Sequence, residues 1–396
     1  MNVILYDREI LHKSFFPFTL TRPVSGLRVG ILTLAEKWQR FLNSTVSNHT
    51  ASYLNQLYPL YTEEDNYVID CSYLPDEALA DAIKKLPAAS ALVYDKEIIA
   101  ARMEKSRIPP PGEPMPWGGL KTVFFKHPVR TISRPWDLFL NNRCEIMNDF
   151  MLVASGRRSA GVHDPFSRIY NDRNVFVEKD VVIKAAVINA ENGPVYIGTN
   201  SRIQEGTTIH GPAAFLEGST VSMGSKIRED STIGPFCIVG GEVKNSIFIG
   251  YSNKAHEGYL GNSVIGEWCN LGADTNNSNL KNNYSSVRVW DNLTGSYMES
   301  GQLLCGAFIG DHSKTAIGTL INTGTVIGVS ANVFGTGLTP KFIPSFSWGG
   351  YTGKVRYDCD KAIESAGNMM ARRERKILPS EAALLRSIFE LTYKAN

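Results

Sequence analysis

An α/β layer domain followed by a parallel β-helix and a short helical tail is the fold this sequence predicts. Three observations predict it: a hexapeptide period through the middle of the chain, strand and helix patterns alternating before it, and helical spacing after it. The period is the strongest signal. Ile197, Ile203, Ile209, Phe215, Val221, Ile227, Ile233 and Val239 form one unbroken register of six. In a chain that is 43 % hydrophobic, eight hits in eight have a chance of about 0.001 in a given register. A second run, Leu303, Ile309, Thr315, Ile321, Ile327 and Val333, misses once, at Thr315. Between them Ile247, Asn253, Tyr259, Ile265 and Leu271 also miss once, at Asn253.

A period of six means a short strand and a turn in each hexad. Three hexads close a triangular coil of about 18 residues, and coils stack in parallel with one aliphatic side chain per hexad inside. Glycine follows several of these positions, as at Gly198, Gly234, Gly266 and Gly310, where a corner is tight. The register breaks by two residues at Gly240–Gly241, which reads as a bulged corner. It breaks again between Leu271 and Leu303, which predicts a loop thrown out over roughly residues 274–300. A β-sandwich would instead alternate with period two.

Residues 1–153 lack the hexad. Val3–Tyr6, Tyr67–Asp70 and Leu92–Tyr94 read as strands. Leu34, Trp38, Phe41 and Leu42 lie on one helix face, a second helix is expected over Asp76–Lys85, and a third near Trp136–Met151 leads into the repeats. Pro109–Gly112 is a loop. The β-helix is expected over 154–352 and helices over 353–396, where Leu384, Ile388 and Leu391 share a face. The cluster Arg372, Arg373, Arg375 and Lys376 reads as a solvated helix end, with contact to a phosphate-bearing ligand as its alternative.

Composition narrows the function classes. Lys+Arg 41 against Asp+Glu 39 lacks the basic excess of a dedicated nucleic-acid binder. Six dispersed cysteines without a CxxC pair argue against a zinc module or a disulfide framework. No apolar run is long enough for a membrane span, and MNVILYDREI has no secretory pattern, so a reduced, soluble, cytoplasmic protein is expected.

A β-helix interior is packed, so a ligand has to bind outside it, most naturally in a groove between neighbouring prisms. The stretch from Lys254 to Gly261, then Ile265–Gly266 and Asn270–Ala273, immediately precedes the predicted loop, and its His256 is a candidate general base near neutral pH. KAHEGYLGNSVIGEWCNLGAD resembles the active-site segment of the acetyltransferase half of the bifunctional UDP-N-acetylglucosamine pyrophosphorylase/glucosamine-1-phosphate N-acetyltransferase family. LTRPVSGLRVGILTLAEKW, SRPWDLFLNN and SFSWGG resemble its variant with a shortened nucleotidyltransferase-like N-terminal domain.

The resemblance implies a left-handed β-helix that trimerises, with acetyl-CoA between subunits and an amino-sugar 1-phosphate as acceptor. By motif, His256 matches the catalytic base, Tyr259 and Asn270 the lining of the sugar site, Arg228 and Lys244 the basic pair near the sugar phosphate, and Asn279 a polar residue at the sugar and acetyl junction. Ser313 and Lys314 lie where the family contacts the coenzyme. In the N-terminal domain Arg22 resembles the arginine of the nucleotide motif, but no glycine-rich cradle follows Leu5–Arg8. The alternative is therefore a sugar-1-phosphate nucleotidyltransferase, using UTP or dTTP with Mg²⁺, whose β-helix only assembles the oligomer. No metal is needed for acetyl transfer itself, and neither nucleic acid nor membrane is expected as a partner.

Overall fold

The computed structural model describes residues 1–350 and 354–393, in two compact units. Unit 1 comprises residues 1–27, 32–134 and 379–387; unit 2 comprises 28–31, 135–378 and 388–396.

Unit 1 is an α/β layer. Its elements run β1 (Asn2–Tyr6), α1 (Glu9–Ser14), α2 (Leu34–Leu42), β2 (Val46–His49), β3 (Asp65–Asp70), β4 (Tyr73–Leu74), α3 (Glu77–Lys84), β5 (Ser90–Tyr94), β6 (Glu97–Glu104), β7 (Lys121–Phe124) and β8 (Arg130–Thr131). The main sheet has the order β2-β1-β3-β6-β5-β7. β1 is parallel to β2 and β3, whereas β6 runs antiparallel to β3 and β5. The strands read at Val3–Tyr6, Tyr67–Asp70 and Leu92–Tyr94 and the helix face of Leu34, Trp38, Phe41 and Leu42 fall inside these elements, and the helix read over Asp76–Lys85 is α3 with its two caps. Thr33 starts α2 with a reciprocal capping box to Glu36, and the Asp76 side chain accepts from the Leu79 N–H at the start of α3.

Unit 2 opens with α4 (Pro135–Ala154), which packs on the solenoid rather than closing the first unit. The boundary expected at 153/154 thus falls at 134/135 by packing. The reason is polar as well as apolar: the buried Asn142 amide donates to the Asp230 carbonyl at 2.7 Å, Arg143 pairs with Asp230 at 3.0 Å, and Phe139 stacks on Phe308. The boundary expected at 352/353 lies outside the described residues.

The rest of unit 2 is a parallel β-helix of three walls. The first stacks nine described strands, from Val175–Val177 to Phe342–Ile343. The second runs from Val182–Ile183 to Ser347–Gly350 and ends in the antiparallel strand Lys354–Arg356. The third stacks six strands, from Arg168–Tyr170 to Tyr259–Gly261, and a separate pair, Asn276–Asn277 with Leu320–Ile321, continues along it. Ile197, Ile203, Ile209, Phe215, Val221, Ile227, Ile233 and Val239 all lie in the buried interior.

The middle run needs a correction. Ile233 pairs with Phe248, Val239 with Lys254 and Val243 with Leu260, so the inward positions are Phe248, Lys254 and Leu260 and not Ile247, Asn253 and Tyr259. The coil that contains Gly240–Gly241 is shortened, and a shift of one residue turns a side chain from the inside to the outside of a strand. Gly240 and Gly241 permit the tight corner, because a Cβ on either would collide with the backbone of 255–258 in the next coil.

Corners between the first and second walls are left-handed, and three of them carry aromatics: Phe236, Tyr251 and Trp268, at φ 55°, 53° and 59°. This backbone costs a non-glycine residue about 1–2 kcal/mol. Stacking offsets it, with ring centroids 5.1 Å apart for Phe236–Tyr251 and 4.3 Å for Tyr251–Trp268. The predicted loop is present as an antiparallel hairpin, Arg288–Asp291 with Ser296–Glu299, whose Val287 and Val289 are buried. Two helices follow the solenoid, α5 (Cys359–Ala371) and α6 (Pro379–Tyr393). In α6 Leu384, Ile388 and Leu391 share a face as expected; Leu384 and Ile388 are buried, and Leu391, near the end of the helix, is exposed.

Candidate functional site

The third wall gathers most of the predicted site residues. Lys244 pairs in register with Gly261, and one rung earlier the Arg228 N–H donates to the Val243 carbonyl at 2.8 Å. In-register strands about 4.8 Å apart therefore bring Arg228 and Lys244 side by side on the outer surface. Lys244 Nζ lies 3.1 Å from Glu229, and Arg228 lies 3.4 Å from Glu242 and 3.7 Å from Glu229. Burial would raise the Glu229 carboxyl, but its own backbone N–H, Lys244 and Arg228 outweigh burial and hold it low. The arginine contacts are long for N–H···O bonds, and its side chain is 46 % exposed, so the guanidinium is open to an incoming anion.

Tyr259 sits on the next strand. Its hydroxyl accepts from Asn279 Nδ2 at 3.0 Å, and the same amide donates to Asn262 Oδ1 at 2.8 Å. Burial raises the phenol's pKa, so it remains a neutral donor. Gly261 makes this arrangement fit: a Cβ there would strike both the Tyr259 hydroxyl and the Asn279 amide. Asn279 itself stands at the neck of the hairpin excursion, where its carbonyl accepts from the Cys305 N–H at 2.8 Å. The excursion thus fixes one wall of the site, as loops carried on rigid scaffolds commonly do.

His256 is exposed at the corner between the second and third walls, just before the Tyr259 strand. Its backbone is anchored from inside the prism. Lys254 occupies an inward position, 1 % exposed, and its Nζ donates to the carbonyls of Gly240 at 2.9 Å and His256 at 3.0 Å. Sequence reasoning counted Asn253 at this position and missed the lysine, although the shortened coil at Gly240–Gly241 was the signal that shifted it inward.

Three predicted residues lie elsewhere. Asn270 is on the second wall, in register with Asn253 and Lys314, and does not join the group on the third wall. Ser313 is 1 % exposed; its hydroxyl donates to the Gly328 carbonyl at 2.6 Å and accepts from the Ala331 N–H at 3.0 Å. Ser252 makes the same kind of bond to Gly266, so this is a corner device of the coil, which leaves no hydroxyl for a ligand. In unit 1 the Arg22 side chain is buried, 4 % exposed, and does not offer an open grip for phosphates.

The residue at the mouth of unit 1 is Arg8, which the sequence reading passed over. It leaves the end of β1 43 % exposed and pairs with the buried Asp70 at the end of β3, at 2.6 Å. Beside it Asp7 accepts from His12 Nδ1 at 2.7 Å, Thr50 at 2.8 Å and the Val24 N–H at 3.1 Å. A buried polar hub thus follows β1. Asp70 is already held by Arg8 and Ser72, and among the described residues no three His, Cys, Asp or Glu converge. The six cysteines are free, and no described helix is long and apolar enough to cross a membrane.

Residues 3–158 match the sugar nucleotidyl transferase family. The chain is 34 % identical over 161 residues to a bifunctional sugar-1-phosphate nucleotidylyltransferase/acetyltransferase of Sulfurisphaera tokodaii, covering 40 % of this chain and 37 % of that one. It is 26 % identical over 279 residues to the bifunctional protein GlmU of Methanocaldococcus jannaschii, covering 67 % of this chain and 59 % of the relative. A solved structure, the polySia-specific acetyltransferase NeuO, overlaps 49 % of this chain and 84 % of its own at 16 % identity and a TM-score of 0.28. The chain spans about half the length of the curated relatives it matches. In sequence the chain is thus similar to bifunctional nucleotidylyltransferase/acetyltransferases, and its residues 3–158 match the sugar nucleotidyl transferase family.

Proposed function

We propose that this protein transfers the acetyl group of acetyl-CoA to the amine of an amino-sugar 1-phosphate, most simply glucosamine 1-phosphate. The observation that carries the reading is the third-wall group: the Arg228–Lys244 pair in register beside the Tyr259–Asn279 pair, with His256 exposed at the adjoining corner. Two cations suit a sugar phosphate, and a phenol and an amide suit sugar hydroxyls. The amine has to be neutral to attack the thioester. As its nitrogen bonds to the acetyl carbon, His256 takes the amine proton, the C–S bond breaks with its electron pair on sulfur, and the proton on His256 then passes to the coenzyme thiolate, which leaves as the thiol. Lys254 holds the carbonyl of that histidine, which limits how far the imidazole can wander.

A homotrimer belongs to this reading. It is supported by apolar side chains left exposed on the outside of the prism, among them Ile317, Leu320 and Leu338. A cytoplasmic location accords with the six free thiols.

Thiol release from acetyl-CoA with a panel of amino-sugar phosphates tests the proposal. His256→Gln should lower turnover by about 10²–10⁴-fold while coenzyme binding persists; unchanged turnover would remove the histidine from the chemistry. A second activity, nucleotidyl transfer to a sugar 1-phosphate from UTP or dTTP, is favoured by the family match to residues 3–158. It predicts pyrophosphate release that falls in Arg8→Ala. No pyrophosphate with either nucleotide would leave unit 1 a structural role.

A further inference from the structure

A cleft of about 560 Å³ lies between the second wall and α5, and the group on the third wall does not use it. One side is a row of outward residues on successive rungs, Asn253, Asn270 and Lys314. At about 4.8 Å per rung the row is about 10 Å long. The other side is one face of α5, where Ser365, Asn368 and Arg372 recur at helical spacing. Arg373 crosses between them and donates to Asn253 Oδ1 at 2.8 Å. The segment that carries these arginines is fastened by Arg375, whose guanidinium lies 5.2 Å from the Tyr251 ring and 5.5 Å from Trp268.

Lys314, Arg372 and Arg373 share this cleft, and among the described residues that line it there is no carboxylate. Three basic side chains facing one cavity, whose lining also includes Ile238 and Met369, repel one another until an anion enters. The Lys314 ammonium is already disfavoured by burial and donates to the His312 carbonyl at 3.2 Å. Amides and a hydroxyl between the cations add neutral donors and acceptors. A cavity of this size suits a nucleotide-sized ligand rather than a lone ion. The basic cluster after α5, which reads from the sequence as a solvated helix end, is thus turned into a cavity.

We propose that this cleft binds the diphosphate of a nucleotide-type ligand, with Arg372, Arg373 and Lys314 on the phosphates. Two sources share that chemistry: the nucleotide end of coenzyme A, which rests on the acetyl-transfer reading, and a free nucleoside diphosphate. Calorimetric titration of the full chain with coenzyme A, UDP and inorganic pyrophosphate, at about 50 and 200 mM salt, tests it. At least one probe should bind, more weakly at high salt. Arg372→Gln, on the exposed helix end, and Lys314→Gln should each weaken binding about tenfold or more and flatten the salt dependence. His256→Gln should bind like the parent. Preference for coenzyme A over UDP assigns the acyl donor, and the reverse assigns a free nucleotide. Parental affinity in both cleft variants, or no binding of any probe, overturns the proposal. Thiol release with binding unchanged in the variants overturns the cleft alone. Binding lost in the variants of a chain that releases no thiol overturns the acetyl-transfer reading alone.

Discussion

Lys254 shows how much one residue sets at this site. Its ammonium is enclosed by the prism, and burial pushes its pKa down to about 8. An unfolded lysine titrates near 10.4. Below about pH 8 the folded chain has to carry the buried charge, so the penalty is fully present there. Between about pH 8 and 10.4 the unfolded chain holds the proton and the folded one does not, so stability rises with pH through that window. The melting temperature of the parent relative to Lys254→Met should therefore climb from pH 8 to 10; parallel profiles would mean the lysine never loses its proton in the fold. Gly261 makes the complementary case. Gly261→Ala should raise the KM for the sugar phosphate at least tenfold, because the new methyl displaces the Tyr259 hydroxyl and the Asn279 amide, while the circular dichroism spectrum stays that of the parent. An unchanged KM would separate the Tyr259–Asn279 pair from acceptor binding.

Elements differ in what holds them. α2 is fixed locally by its capping box, so Thr33→Ala should cost about 1 kcal/mol, read as a lower urea midpoint for unit 1. The solenoid strands, of two to four residues, have no such local support. Each is held by the coils before and after it and by the aliphatic column inside. The hairpin excursion depends on docking: it packs against Gly324, where a Cβ would collide with the Arg288 carbonyl and Val287 and crowd Val289. Gly324→Val should therefore free the excursion, detected as faster hydrogen exchange over residues 288–299, and disturb Asn279 at its neck.

At the scale of the molecule, the proposed function assigns the apolar side chains exposed on the prism to contacts between subunits. Light scattering should give about three times the 43.8 kDa of one chain. A monomer that still released thiol would show that the third-wall group is sufficient by itself.

The sequence alone determined the solenoid, because an aliphatic residue every six positions leaves a chain few other ways to bury them. It also determined the α/β character of the first unit and, through the segment around His256, the chemistry to look for. Four matters were decided only by tertiary structure. Lys254 turned inward because the coil through Gly240–Gly241 is shortened, with Ile233 pairing to Phe248 and Val239 to Lys254, and spacing counts do not see a corner's length. Asn270 parted from Tyr259 because neighbours in sequence fall on different walls of a prism. Ser313 went to the coil because a corner hydroxyl is consumed by the rungs around it. Arg372 and Arg373 came to face Lys314 because α5 packs back on the second wall, a long-range contact that no local pattern encodes.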